Sequence, residues 1–135
     1  MFGREILKPA IGREPTYDSI YNTDGRTQSF ACASCNSRVV LDIVDCAGKN
    51  AEDPESILGS GQGALVRKHF GILSKSLTNG WPLMSIASCR SCGQGHLIYV
   101  AMFEPRNGWR QLVLQGITQL LPSNLSFQGT AFGGP

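Results

Sequence analysis

The sequence predicts an α+β domain in which antiparallel β-hairpins carry two cysteine pairs and one main helix is inserted between them. Three observations lead there. Cys32-Ala-Ser-Cys35-Asn36 and Cys89-Arg-Ser-Cys92-Gly93 are both C-x-x-C pairs, bounded by β-prone runs. Between them, Val66, Phe70, Leu73 and Leu77 recur at four, three and four residues, the spacing of one helix face. Sixteen Gly and seven Pro in 135 residues mark many turns and long irregular connections.

Each cysteine pair is followed by a residue that tolerates a left-handed backbone, Asn36 or Gly93, where the chain reverses after the second thiolate. Two thiolates on a tight turn point at one ion, and two such turns supply the four soft ligands of tetrahedral zinc. Cys32, Cys35, Cys89 and Cys92 are therefore the metal candidates, for one structural zinc ion. Buried structural thiols and a pair of disulfides are the competing readings. Five cysteines is an odd count, and Met1 to Lys8 contains no apolar run of signal-peptide length. Both point to reduced thiols and a cytoplasmic protein. A structural zinc contributes on the order of 10 kcal/mol of folding free energy, which suits a chain whose irregular connections bury little surface per residue.

Residues 1–28 show no period, since Pro9, Gly12 and Pro15 interrupt them. They read as an N-terminal arm that packs over the core through Tyr17, Ile20 and Tyr21. Ser29 to Cys32 leads into the first pair, and Arg38 to Val44 leads out as a β-branched strand with Asp42 facing solvent. An acidic, Gly-rich connection follows. Asp53-Pro54-Glu55 reads as a helix start, and Ala64 to Asn79 as the main helix, ended by Asn79-Gly80 and Pro82. Leu83 to Ser88 enters the second pair, and His96 to Phe103 leaves it. Asn107-Gly108 suits a two-residue type I′ hairpin. Trp109 to Gln115 alternates, with Leu112 and Leu114 on the core side. Residues 122–135 form a polar C-terminal tail carrying Leu125, Phe127 and Phe132. The longest uncharged stretch, Gln111 to Pro135, is too broken by Gln, Asn, Gly and Pro to span a bilayer.

Two cysteine knuckles carried by β-strands resemble the zinc-ribbon superfamily, in which each pair sits at a hairpin turn and both turns meet over one zinc. The resemblance covers residues 28–44 and 83–115 and implies ligand roles for Cys32, Cys35, Cys89 and Cys92. It divides the chain into an arm (1–28), a zinc-ribbon domain (29–121) with a helical insertion at 53–79, and a tail (122–135). The chain departs from compact ribbons in the 53 residues between Cys35 and Cys89. Loop closure tolerates that length, and leaves open whether the pairs meet within one chain or across a dimer.

Other chemistry is weaker. Cys46 has no partner at C-x-x-C spacing and reads as a small buried residue. His69 and His96 are spare ligands beside four thiolates. Gly59-Ser-Gly-Gln-Gly63-Ala64 opens a helix but lacks a preceding strand and a Lys-Ser/Thr pair, so it reads as a hinge rather than a phosphate loop. No nucleophile with a nearby base is visible, and a four-thiolate zinc has no open position for water. The chain thus reads as non-enzymatic.

Charge is uneven. Residues 32–63 carry a net −3, whereas residues 64–110 hold six cations against Glu104 alone, a net +5. Trp81, Arg106, Trp109 and Arg110, with Lys68, Lys75 and Arg90, form the candidate partner surface, because Trp and Arg dominate interface hot spots. The leading expectation is an interaction module that binds another protein; the superfamily resemblance implies an adaptor, inhibitor or immunity-like partner. The alternative is nucleic-acid binding through Lys68, Lys75, Arg90, Arg106 and Arg110.

Overall fold

The two longest strands frame the molecule. The computed structural model describes residues 2–48, 58–59, 61–70 and 80–121. In chain order the strands are β1 (Phe2–Leu7), β2 (Tyr17–Asp18), β3 (Thr27–Ala31), β4 (Arg38–Asp42), β5 (Trp81–Ser88), β6 (Gly95–Arg106) and β7 (Trp109–Leu120). Helices α1 (Ile43–Ala47) and α2 (Gly63–Phe70) lie between β4 and β5. β6 and β7 form an antiparallel hairpin in a sheet of order β1-β7-β6-β5, and β2 shares the outer edge of β7 with β1. β3 and β4 make a separate two-stranded hairpin.

The large sheet is covered on both faces. On one, Ile98, Val100, Leu112, Leu114 and Ile117 pack against Leu41, Ile43 and Cys46 from β4 and α1. On the other, Leu97, Tyr99, Ala101 and Val113 pack against Val66 and Phe70 from α2. Neighbours in sequence point to opposite faces, so β6 reads as a continuous apolar run. In β7 the pairing steps from Val100↔Leu114 to Tyr99↔Gly116, leaving Gln115 as a bulge that reverses the alternation. Gly116 then lies under the Phe70 ring, where an added Cβ would sit 2.6 Å from Cε1. Only glycine fits there.

The α+β expectation is not met: strands make up 51% of the described residues and helix 18%, and only one helix there reaches seven residues. Among the described residues, no long helical insertion separates the knuckles. Val66 and Phe70 do share the buried face of α2, while Leu73, Lys75, Leu77 and the Asp53 helix start lie outside the described residues. Much of the extra strand content comes from the segment that reads as an arm. Phe2 to Leu7 pairs with β7 from Leu120 to Ile117, with register shifts on both sides of Glu5. Those irregularities erase the two-residue period by which a strand is read from sequence.

Two local expectations also change. The strand leaving the first knuckle stops at Asp42, whose Oδ1 accepts the N–H groups of Val44 (2.9 Å) and Asp45 (3.1 Å). This N-cap turns Ile43 and Val44 into helix despite their β-branched side chains. Asp42 and Asp45 both face the Arg26 guanidinium. At the β6–β7 turn only Gly108 has a positive φ, 84°. A type I′ turn needs two such residues; a register shift between Phe103 and Arg106 accommodates the difference.

Candidate metal centre

Both knuckles have the same local geometry. In the first, the Cys32 N–H donates to Ser37 O (2.8 Å) and the Asn36 N–H returns to Cys32 O (3.0 Å). In the second, the Cys89 N–H donates to Gln94 O (2.9 Å) and the Gly93 N–H to Cys89 O (2.8 Å). Asn36 (φ 64°) and Gly93 (φ 79°) occupy the left-handed region, as the spacing requires. The knuckles cap the β3–β4 and β5–β6 hairpins and bring Cys32, Cys35, Cys89 and Cys92 together within one chain, all four Sγ atoms within 4.8 Å of one another.

Sulfurs of different knuckles approach closely: Cys32–Cys92 and Cys35–Cys89 are each 3.6 Å apart. That is far beyond a disulfide bond of about 2.05 Å, and all five cysteines are free. A tetrahedron of thiolates about 2.3 Å from a central ion has edges of about 3.8 Å. The two cross-knuckle separations lie close to that figure. Cys32 and Cys89 are buried, Cys35 and Cys92 exposed.

Without an ion the four thiols compete for charge. The Ser37 hydroxyl and N–H stabilise the Cys35 thiolate and lower its pKa to about 6. Burial opposes ionisation of Cys32, but the N–H groups of Cys35 and Ser34 outweigh it and lower its pKa. At Cys92 the Gln94 N–H favours the thiolate, yet burial and the three neighbouring sulfurs push it up to about 12. Crowded thiolates cannot all ionise without a cation, and a bound divalent ion relieves that conflict. Four thiolates close the coordination sphere.

A buried polar layer holds the knuckles in register. His96, with no solvent exposure, accepts the Ala33 N–H at Nε2 and donates from Nδ1 to Ala87 O, each at 3.2 Å. The ring stands edge-on to Phe30, and burial lowers its pKa. It therefore bridges the first turn to the strand entering the second. Nearby, Ser34 Oγ donates to Gln94 Oε1 (2.6 Å), and Gln119 Nε2 reaches both. His96 is a strut rather than a ligand. His69 is not a ligand either: its Nε2 meets Thr118 Oγ1 at 2.8 Å, and its ring stacks on Phe2. Cys46 lies in the core of the β4–α1 face, where burial raises its pKa.

The candidate partner residues do not form one patch. Arg90 lies at the metal end, in a groove of about 450 Å³ along β4 that Arg38, Val40 and Asp42 also line. Arg106, Trp109 and Arg110 flank the β6–β7 turn at the other end of a 12-residue strand. At about 3.3 Å per residue that is a separation on the order of 35 Å. Trp81, half exposed, pairs with Met102 near this second end. Lys68 is exposed on α2, and Lys75 lies outside the described residues.

The second end contains a carboxylate that no sequence pattern marks. Asp18 is only 5% exposed. It accepts the N–H groups of Ile20 (2.8 Å) and Tyr21 (2.9 Å), the Trp109 indole N–H (2.9 Å) and Gln111 Nε2 (3.0 Å). Burial works against its charge, but these donors prevail and lower the pKa to about 2. Tyr17 packs on the core as expected, whereas Ile20 and Tyr21 stand 56% and 79% exposed. No helix among the described residues is long and apolar enough to cross a membrane. No family model, curated protein or solved structure matches the chain.

Proposed function

We propose that this chain is a non-enzymatic, zinc-stabilised module of zinc-ribbon type that binds another protein. The observation that carries the reading is the four-cysteine cluster with cross-knuckle sulfur separations of 3.6 Å. Thiolate-only sites favour zinc over harder cations. With four protein ligands the ion has no position left for water or substrate, so its work is to fix two hairpins. A module of this kind acts as an adaptor, inhibitor or immunity-like partner by presenting a rigid surface.

The test is native mass spectrometry of the full chain, purified under reducing conditions. One zinc per chain in a monomeric species is the expected result. No metal, or masses two or four units low from disulfide formation, overturns the zinc reading.

Nucleic-acid binding is the second reading, favoured by the net +5 of residues 64–110. It predicts an affinity that falls steeply with salt. The distance between Arg90 and the Arg106–Arg110 pair weighs against a single phosphate track, so the protein partner is preferred. Detectable RNA or DNA binding at low salt that fades with added salt reverses that preference.

A further inference from the structure

We infer that the open edge of β4 pairs antiparallel with β4 of a second copy of this chain, with Val40 on the two-fold axis. The pairing needs neither the ion nor the protein partner proposed above.

The hydrogen-bond phase of the β3–β4 hairpin decides which backbone groups are open. The Cys32 N–H donates to Ser37 O, and the register continues with Phe30 opposite Val39 and Gln28 opposite Leu41. Hydrogen-bonded pairs alternate along an antiparallel ladder. Val39 and Leu41 therefore turn their backbone groups toward β3, and Arg38, Val40 and Asp42 turn theirs outward. No other described strand pairs with that edge. It lies along the groove of about 450 Å³ that Ser88 and Arg90 also line, and Val40 stands 56% exposed on it.

The segment Arg38-Val-Val-Leu-Asp42 is complementary to itself in that phase. With Val40 opposite Val40 of the second copy, each Val40 N–H meets the other's C=O, and each Asp42 N–H meets the C=O of Arg38. The two ends of the strand differ in charge. Arg38 makes no ion pair among the described residues, whereas the Asp42 and Asp45 carboxylates share the single Arg26 guanidinium. Antiparallel self-pairing sets Arg38 against that surplus carboxylate, and unlike charges directly opposite stabilise a strand pair. Two-fold symmetry makes each contact twice, and the exposed valines leave water together at its centre.

The other edges suit this less. β1 carries register shifts on both sides of Glu5. On β5 the Cys89 N–H donates to Gln94 O, so by the same alternation Pro82 faces outward, where it has no N–H to give. Bulges and prolines are the usual means of blunting an edge. β3 turns Thr27, Ser29 and Ala31 outward, none of them charged. An edge of five residues buries well under the roughly 1,200 Å² of stable complexes. The dimer is therefore weak, and the chain is monomeric at the dilution of native mass spectrometry.

The test follows the full chain under reducing conditions, by sedimentation velocity and amide NMR spectra, from about 5 µM to about 500 µM, the range in which a small interface populates its complex. A dimer should grow in with concentration, and the Arg38, Val40 and Asp42 amide resonances should move as it does. Arg38→Glu, which opposes like charges, should weaken dimerisation about tenfold or more. Its dilute spectrum should match the wild type away from the substitution. Arg106→Glu, the same charge change beside the β6–β7 turn, should leave dimerisation unaltered. A monomer throughout the range overturns the inference. So does a dimer that is indifferent to Arg38→Glu, is weakened equally by Arg106→Glu, or moves the β5 amides in place of those on β4.

Discussion

The two ends of the large sheet hold distant segments together by different chemistry. At one end, two turns separated by 53 residues converge on four sulfurs. At the other, one carboxylate gathers the N–H groups of Ile20, Tyr21, Trp109 and Gln111, the last 93 residues away. With an ion bound as proposed, the sulfur end would depend on ionised thiols and a cation, so chelation, oxidation or mild acid would dismantle it. The carboxylate end needs only donors and stays charged to a much lower pH. Independent ends would leave the loop at the far end ordered when the sulfur end is empty of metal.

The most severe test of that independence is Cys89→Ser, which removes a buried sulfur. On the proposed zinc reading, metal binding should be lost, and with it a stabilisation on the order of 10 kcal/mol. The apolar layers on the two sheet faces include none of the four ligands, so the far end should persist. The Trp109 indole N–H resonance reads this directly in an NMR spectrum. A shift to the random-coil position in the variant would show that the ends rise and fall together.

His96→Ala sharpens the comparison by leaving all four sulfurs in place. It orphans the Ala33 N–H and Ala87 C=O and opens a cavity in a fully buried position. A loss of about 3 kcal/mol is expected, together with faster transfer of zinc to a chelator. His96→Gln, able to accept and donate at similar reach, should recover part of both. Unchanged transfer rates in His96→Ala would mean that the knuckles need no strut.

Asp18→Asn is the matching change at the far end and should have a smaller effect, because the amide keeps one acceptor oxygen. Asp18 has a lower pKa in the fold, about 2, than its ordinary 3.8. The folded state therefore binds its proton more weakly, and its stabilising contribution is complete above about pH 4 and fades toward pH 2. Wild type and variant should differ in stability at neutral pH and converge across that window, at equal zinc content under neutral conditions. Curves that stay parallel down to pH 2 would remove the carboxylate from the account.

The contrast between the ends also explains what the sequence reveals. A knuckle is local: its spacing, its left-handed Asn36 or Gly93 and its flanking strands all fall within a few residues, so four candidate ligands are legible from two short motifs. Asp18 resembles any turn aspartate, because the indole that defines it is 91 residues away. His96 looks like a spare ligand until the strand pairing places Ala87 directly opposite it. β1 hides behind its register shifts, and the Gln115 bulge reverses a pattern that otherwise reads cleanly from Trp109. The helical period of Val66 and Phe70 is real but decides only which face α2 buries, not the class of the fold. Local chemistry is legible; long-range pairing and the polar contacts it creates are not.

The smallest effect should come from a third link, again made by carboxylates, the one between Arg26 and the pair Asp42 and Asp45. It too joins separate segments, the 3₁₀ turn at Thr23–Arg26 and the start of α1. Its Nε–Oδ2 distance of 2.7 Å is as short as any contact of Asp18, and Asp42 chiefly raises the Arg26 pKa by that hydrogen bond. Yet the Arg26 side chain is 50% exposed, and water and salt screen such pairs until little net stabilisation remains. Asp42 also keeps its cap on Val44 and Asp45 when Arg26 is gone. Arg26→Ala should leave the urea midpoint within experimental error at physiological salt. A shift comparable to that of Asp18→Asn would mean that short geometry, rather than burial and the number of donors, decides what a carboxylate holds together.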